Sequence, residues 1–409
     1  MTLSPEALRD DIARGFGIGA DPSPPSLGLE VEAIPVDNVT GRAVRIVRTL
    51  VALESLDWAR VFNAKSGMTE LHRPDGARVT FEPGGQLEYS TSPHSNGSAL
   101  LANVDDAIEE IGHALSAHGI SLRMTGLDPI TPIDQVPLQL DGPRYRRMDA
   151  YFASLGPSGR RMMRQTAAIQ LSVDLGAAPL ERWRLLGALA PVVGASFANS
   201  PLDTGRRTGE RSIRRRVWAE LDPARTGLRA LGADPVGEYL EFALRAPAFL
   251  MGQDPARAEP FANWLSRGAT RDDWQTHLST LFPDVRPRGY FEFRVADAVG
   301  GDAIAALVAL VAGLAWHPEC TGAALDALPT PNADLMARAG RDGLSDPDLA
   351  RAAAAAVELA LRGCRALGPA LLSSADLTRA TRYFDRYTAV GRCPADFMVA
   401  SSDTISELV

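Results

Sequence analysis

Only three cysteines occur in the 409 residues, Cys320, Cys364 and Cys393, all in the last third and in none of the spacings of a zinc site or disulfide framework. Isolated cysteines of this kind read as buried thiols. Lysine is almost missing, since Lys65 is the only one among 42 basic side chains. The formal net charge of -8 argues against a nucleic-acid or anionic-membrane partner. Local arginine clusters at Arg144 to Arg147, Arg160 to Arg164 and Arg206 to Arg216 sit inside this acidic chain and suit small phosphates better. Long hydrophobic runs are lacking too. The longest, Ala303 to Trp316, is too short to span a bilayer and predicts a buried helix. The polar start SPEALRDDIARGFG does not have the pattern of a signal peptide. These features predict a cytoplasmic protein with no membrane or nucleic-acid partner.

Four segments instead alternate polar and apolar residues with strand periodicity: Gly28 to Asp37 (GLEVEAIPVD), Thr80 to Thr91 (TFEPGGQLEYST), Ala168 to Asp174 (AIQLSVD) and Tyr290 to Asp297 (YFEFRVAD). Alternate strand residues point to opposite faces. Glu30 and Glu32 therefore project together, as do Gln170, Ser172 and Asp174, and as do Glu292 and Arg294. Leu29, Val31, Ile169, Leu171, Val173, Phe291, Phe293 and Val295 form the other face. If the strands share one sheet, its polar face gathers Glu30, Glu32, Glu82, Glu88 and Glu292. Two carboxylates about 5 Å apart at an effective dielectric of about 20 repel by roughly 3 kcal/mol. An all-oxygen cluster of this kind suits a hard cation such as magnesium, shared with substrate phosphates. A solvated sheet face is the ordinary alternative for any single strand. Such a face would mix Thr, Lys and Ser among its acids, whereas here five Glu recur.

Helical spacing predicts helices over Ser4 to Gly15, Ala99 to His118, Arg144 to Leu155, Leu180 to Ala198 and Gly237 to Leu244. Beyond residue 300 the Ala- and Leu-rich segments Ala303 to Trp316, Asp348 to Leu367 and Ala375 to Arg386 read as helices with no strand signal. The expected fold class is α+β: an antiparallel sheet with a polar ligand-binding face, helices packed on its other side, and a C-terminal helical layer. The expected division is 1–300 as catalytic core and 301–409 as a helical region packed on it, with one single domain as the alternative.

The segment FEPGGQLEY (Phe81 to Tyr89) resembles the LEPGGQ-F-E-L signature of the plant-type glutamate-cysteine ligases, whose bacterial relatives include the ligase that opens ergothioneine synthesis. GLEVEA resembles the family's paired-Glu first strand, and TAAIQLSVD, FANSP, RSIRRRVWAELDPARTG, WQTHLSTLFPDVR and YFEFRVAD continue the likeness in order over residues 28–298. The resemblance implies a glutamine-synthetase-like sheet and ATP-dependent amide formation, in which the γ-carboxylate of glutamate takes the γ-phosphoryl of ATP and the amine of cysteine attacks the acyl phosphate. By that resemblance Glu30, Glu32, Glu82, Glu88 and Glu292 would hold magnesium. Arg294 would stabilise the transferring phosphoryl group, or pair with a neighbouring Glu. Arg214 and Trp218 fall on the family's R-x-x-x-W pattern and would contact glutamate. Arg225 resembles the arginine of the D-R-T-G turn and would touch phosphate or brace the loop, while Gln170 would meet ligand from the polar face.

The chain departs from the plant pattern at two places. Gln165 stands where the plant enzymes have the arginine before the Thr of the T-x-x-x-Q strand, with Arg164 one place earlier, and Ser172 replaces an Asn. The plant regulatory cysteines have no counterparts, so redox control of that kind is not predicted. The alternatives to γ-glutamylcysteine formation are a related carboxylate-amine ligase with another amine or acid, and a non-catalytic nucleotide or amino-acid sensor.

Overall fold

Runs of β-branched and aromatic residues separated by Gly, Pro and Asp make short strands. In the computed structural model, which describes residues 3–64, 66–227 and 232–398, these runs pair into one sheet. The strands are β1 (Leu27–Asp37), β2 (Ala59–Asn63), β3 (Met68–His72), β4 (Arg78–Phe81), β5 (Leu87–Ser90), β6 (Ile120–Arg123), β7 (Ala168–Val173), β8 (Leu202–Asp203), β9 (Arg206–Arg207), β10 (Val285–Pro287) and β11 (Phe291–Asp297). Nine of them form an antiparallel sheet in the order β10-β11-β7-β1-β5-β4-β3-β2, with β6 on the far end of β1. The long strand β1 is its centre. Its first half lies between β7 and β5, and its second half pairs β6. Opposite β7, the register of β11 shifts between Phe293 and Ala296, which marks a bulge.

The eight residues expected on the apolar face are all at most 2% exposed. Burying a large apolar side chain contributes roughly 1.5–3 kcal/mol, so a one-residue slip of register, which turns all of them to the polar side, would cost on the order of 10 kcal/mol. The helices Gly97–Ser116, Pro179–Ser196 and Asp302–Ala315 cover this face. The last is apolar on all sides because the helices Pro347–Leu367 and Ser374–Arg386 lie over it. One hydrophobic cluster runs from Leu8 to Phe384, so the helices after residue 300 share a core with the sheet. The covering layer draws on helices from both sides of residue 300, and not on the C-terminal region alone. Among the described residues no single helix is long and apolar enough to cross a membrane.

The polar face is covered as well, by the helices Pro143–Leu155, Pro157–Arg164 and Ile213–Leu221. Pro157–Arg164 has no sequence-based counterpart, because its basic residues hide the apolar Met162 and Met163. The turn between β4 and β5 meets the end of this helix. A Cβ on Gly84 would lie 2.0 Å from the carbonyl oxygen of Arg164. The Pro-Gly-Gly break thus admits protein backbone. Gln86 Nε2 donates to Thr166 O at 2.8 Å and Gln139 Nε2 donates to Gly84 O at 2.6 Å, tying the turn to the roof of the face.

Gly84→Ala should therefore destabilise the protein by roughly 1–3 kcal/mol, as overpacking does. Gly112→Ala should do the opposite. Gly112 sits inside the Gly97–Ser116 helix with nothing within 4 Å of an added Cβ, and Ala gains up to about 1 kcal/mol over Gly in a helix. Denaturant unfolding of both variants checks the pair; an unchanged Gly84→Ala would refute the close packing.

Candidate active site

The sheet register lays the polar residues out in rows. β1 places Glu32 directly opposite Glu88 of β5, which in turn lies opposite Thr80 of β4. Glu30 stands between Gln170 of β7 and Ser90 of β5, and Ser90 lies opposite Arg78. In the third row Gly28 neighbours Ser172, which lies opposite Glu292, which lies opposite Arg286 of β10. Like charges directly opposed in a sheet destabilise it, so the Glu32 and Glu88 pair is a cost the fold carries.

Beneath the three roofing helices these rows line a cavity of about 230 Å³. Glu30, Glu32, Glu82, Glu88 and Gln170 line it, together with Arg214, Trp218, Arg144, Arg286 and Arg294. Glu32 accepts from the backbone N–H of Ala168 and from Gln170 Nε2, both at 2.8 Å. Glu88 accepts from Thr80 Oγ1 at 2.9 Å and Ser90 Oγ at 3.0 Å. Among the described residues no hydrogen bond reaches the carboxylates of Glu30 or Glu82. Burial, with repulsion from Glu88 and Glu292, pushes Glu30 up to about 8. Burial and repulsion from Glu88 hold Glu82 well above the carboxylate range. Glu32 and Glu88 are raised too, chiefly by burial.

Four arginines face this acidic floor. Arg214 is 2% exposed; its Nη1 donates to Val295 O at 3.0 Å and its Nη2 to Arg294 O at 2.9 Å, and its guanidinium lies 4.6 Å from the centre of the Trp218 ring. Burial, offset by Asp297 and Glu32, brings it down to about 10, so it stays charged at neutral pH. Arg286 Nε donates to Glu292 Oε2 at 2.7 Å and Arg294 Nη1 donates to the same oxygen at 2.8 Å. Arg144 donates to Ser279 Oγ at 3.0 Å and to its carbonyl at 3.2 Å. Sequence reasoning singles out neither Arg144 nor Arg286. Their signals are a strand of three residues, too short to read, and an arginine in a basic cluster.

Two expected site residues lie elsewhere. Glu292 is 1% exposed and does not line the cavity. Burial raises its carboxyl, but Arg286 and Arg294 outweigh that and hold it near 2, so in this structure it is the counter-ion of two arginines. Arg225 is completely buried and away from the cavity. It donates to Asp222, to both oxygens of Thr280 and to the carbonyl of Pro247, and it lies over Phe249, which makes it a brace rather than a ligand group. Arg215, from the Arg206 to Arg216 cluster, is buried and bound bidentately to Asp284 at 2.6 and 3.2 Å.

Among the described residues no three His, Cys, Asp or Glu side chains converge on one point. The carboxylates ring the cavity instead. The donor set nevertheless fits a hard cation: it is all oxygen, its four acids repel one another, and Gln170 Oε1 is buried without a hydrogen-bond partner. A second cavity of about 480 Å³ shares Glu30 with the first and runs past Gly28, Arg78, Ser172 and Tyr290.

Residues 26–407 match the family model described as glutamate-cysteine ligase family 2. The chain is 36% identical over 346 residues to glutamate-cysteine ligase EgtA of Mycobacterium tuberculosis, covering 79% of this chain and 76% of that protein. It is also 36% identical over 306 residues to EgtA of Mycolicibacterium smegmatis, covering 70% and 71%. The chloroplastic glutamate-cysteine ligase of Medicago truncatula is 28% identical over 291 residues, 67% of this chain and 56% of that one. A crystal structure of glutamate-cysteine ligase from Francisella tularensis in complex with AMP shares the fold, with a TM-score of 0.55 over 92% of this chain and 84% of that one, at 14% identity.

The raised carboxyl groups make stability depend on pH. A carboxyl whose folded pKa is raised favours the folded state below its unfolded value, and that contribution is lost as pH rises through the folded value. For Glu30 the window runs from about 4.5 to about 8. Glu292, held low, loses its contribution only as pH falls from 4.5 toward 2, outside that window. The melting temperature of the metal-free protein should therefore fall between about pH 5 and 8, and magnesium should raise it more at the upper end. Scanning calorimetry with chelator or magnesium reads both, and Glu30→Gln should flatten the dependence.

Proposed function

Because this chain belongs to glutamate-cysteine ligase family 2, we propose that it joins the γ-carboxylate of L-glutamate to the amine of L-cysteine at the expense of ATP, forming γ-glutamylcysteine for low-molecular-weight thiol synthesis, ergothioneine or glutathione. One observation carries this reading beyond the family: the cavity separates its charges, with four carboxylates on the sheet floor and four arginines around them. Carboxylates alone would hold a cation, and arginines alone an anion. A site that brings a carboxylate substrate to a magnesium-bound triphosphate needs both.

In this reading Glu30, Glu32, Glu82 and Glu88 would hold magnesium, while Glu292, outside the cavity, acts on the site through Arg286 and Arg294. Bound there, magnesium would offset the negative charge that phosphoryl transfer brings to the site. Arg214, fixed by two backbone carbonyls and stacked on Trp218, receives the glutamate. The nucleotide enters through the larger cavity that shares Glu30, so that its terminal phosphate reaches the metal-binding carboxylates. A γ-carboxylate oxygen attacks the γ-phosphorus and ADP leaves. The amine nitrogen, having lost a proton, then attacks the acyl carbon and phosphate leaves. Arg294 and Arg286, paired on one oxygen of Glu292, supply fixed positive charge for the transferring group. The roofing helices limit water at the acyl phosphate. ATP and reduced cysteine are cytoplasmic pools, the setting this reaction requires.

Phosphate release from magnesium-ATP in the presence of glutamate, with cysteine first in a panel of amines and mass spectrometry of the product, tests the reading. Cysteine-dependent release giving γ-glutamylcysteine is the expected result. Release with another amine alone would replace the acceptor, and no release with any would refute the ligase. Arg214→Ala should raise the glutamate KM by about 10–100-fold, the value of charge-assisted hydrogen bonds worth roughly 1.5–3 kcal/mol, with a smaller effect on the ATP KM.

A further inference from the structure

Arg214 is held in a way that an ordinary strand does not allow. Its two terminal nitrogens donate to the carbonyls of Arg294 and Val295, which are consecutive residues of β11. Successive carbonyls of a regular strand point in opposite directions. They come within reach of one guanidinium here because β11 bulges between Phe293 and Ala296. At the end of the bulge lies Asp297, 2% exposed, the last residue of YFEFRVAD, to which the sequence gives no role. Its Oδ1 lies 3.7 Å from Arg214 Nη1 and accepts from Ser212 Oγ at 2.9 Å. Its Oδ2 accepts from the backbone N–H of Asn199 at 2.8 Å and from Ser200 Oγ at 2.7 Å.

Each of these partners bears on Arg214. Ser212 is the N-cap of the Ile213–Leu221 helix, accepting from Arg215 N at 3.1 Å. Ser200 Oγ accepts from Arg214 N at 3.3 Å. A single carboxylate thus ties the start of the helix, the loop before it and the guanidinium to the bulged strand. Gly126 closes the far side, since a Cβ there would lie 2.3 Å from Asp297 Cγ. The carboxylate has no room to swing away.

Resting on the glutamate role given to Arg214 above, we propose that Asp297 is a positioning residue for substrate: it touches no ligand but sets the guanidinium that does. Arg214 Nε is buried without a partner and Arg214 lines the cavity, so donors remain for a carboxylate after two are spent on the strand. A guanidinium fixed before binding loses less freedom when the substrate arrives.

A double-mutant cycle tests this. Asp297→Asn keeps the shape and removes the charge, and should raise the glutamate KM by about 5–50-fold while kcat and the ATP KM change by less than about threefold. In the Arg214→Ala background the same substitution should add less than about twofold, because the residue it acts through is gone. Ser200→Ala, a milder change to the same carboxylate, should move the glutamate KM in the same direction and serves if Asp297→Asn fails to fold. Additive losses, or ATP and glutamate constants rising together, would overturn the positioning role. Titration of glutamate binding without ATP separates this from the ligase reading: a wild-type protein that binds glutamate but ligates no amine sinks the ligase, and the cycle is then read in the glutamate dissociation constant. A wild-type protein that binds no glutamate sinks both.

Discussion

Everything at the site depends on the register of β1 between β7 and β5. That register is set from below, by apolar side chains pressed against the Gly97–Ser116, Pro179–Ser196 and Asp302–Ala315 helices. The acids follow without choice, because strand geometry sends every second residue to the other face. Glu32 meets Glu88 across the ladder whether or not that contact is favourable. A core energy on the order of 10 kcal/mol exceeds the few kcal/mol of carboxylate repulsion, so the fold can hold a charge distribution that the polar residues alone would disperse.

Such a face works because its strain is of a kind a ligand relieves. Four carboxylates raised by burial either take up protons or a cation. Protonated, they cost little; with a divalent cation they would recover their charge. The arginines differ in kind. Arg286 and Arg294 share the single carboxylate of Glu292, which leaves one positive charge over, and Arg214 is anchored on backbone carbonyls. Positive charge is therefore fixed in place before substrate arrives, while negative charge awaits a metal. That asymmetry suits a reaction in which the metal accompanies the nucleotide.

Short-range periodicity carried most of the fold in the sequence. The four alternating segments and the long Ala-rich helices stand where the spacing puts them, and the acidic floor follows from alternation alone. What periodicity could not carry was contact between distant segments. Glu292 and Glu30 look alike in their strands, yet Arg286, on a strand of three residues, makes one a counter-ion and leaves the other raised. Arg225 and Arg214 both lie in a motif-bearing stretch; only packing shows that the first is spent on Asp222 and Thr280 while the second opens on the cavity. The bulge in β11 is invisible in YFEFRVAD, because its cause is the pairing with β7.

The scarcity of lysine acquires a physical sense at Arg214. Burial takes its guanidinium from 12.5 to about 10, which leaves it charged at neutral pH. A lysine starts lower, and the same burial would push it closer to neutrality. Geometry weighs more heavily still. One ammonium nitrogen cannot reach two successive carbonyls and a substrate carboxylate at once, whereas a planar fork divides these tasks among three nitrogens. The bulged strand, the carboxylate of Asp297 and the arginine therefore form a matched set: the strand presents two acceptors side by side, and only a guanidinium can use both and still have a donor left for the cavity.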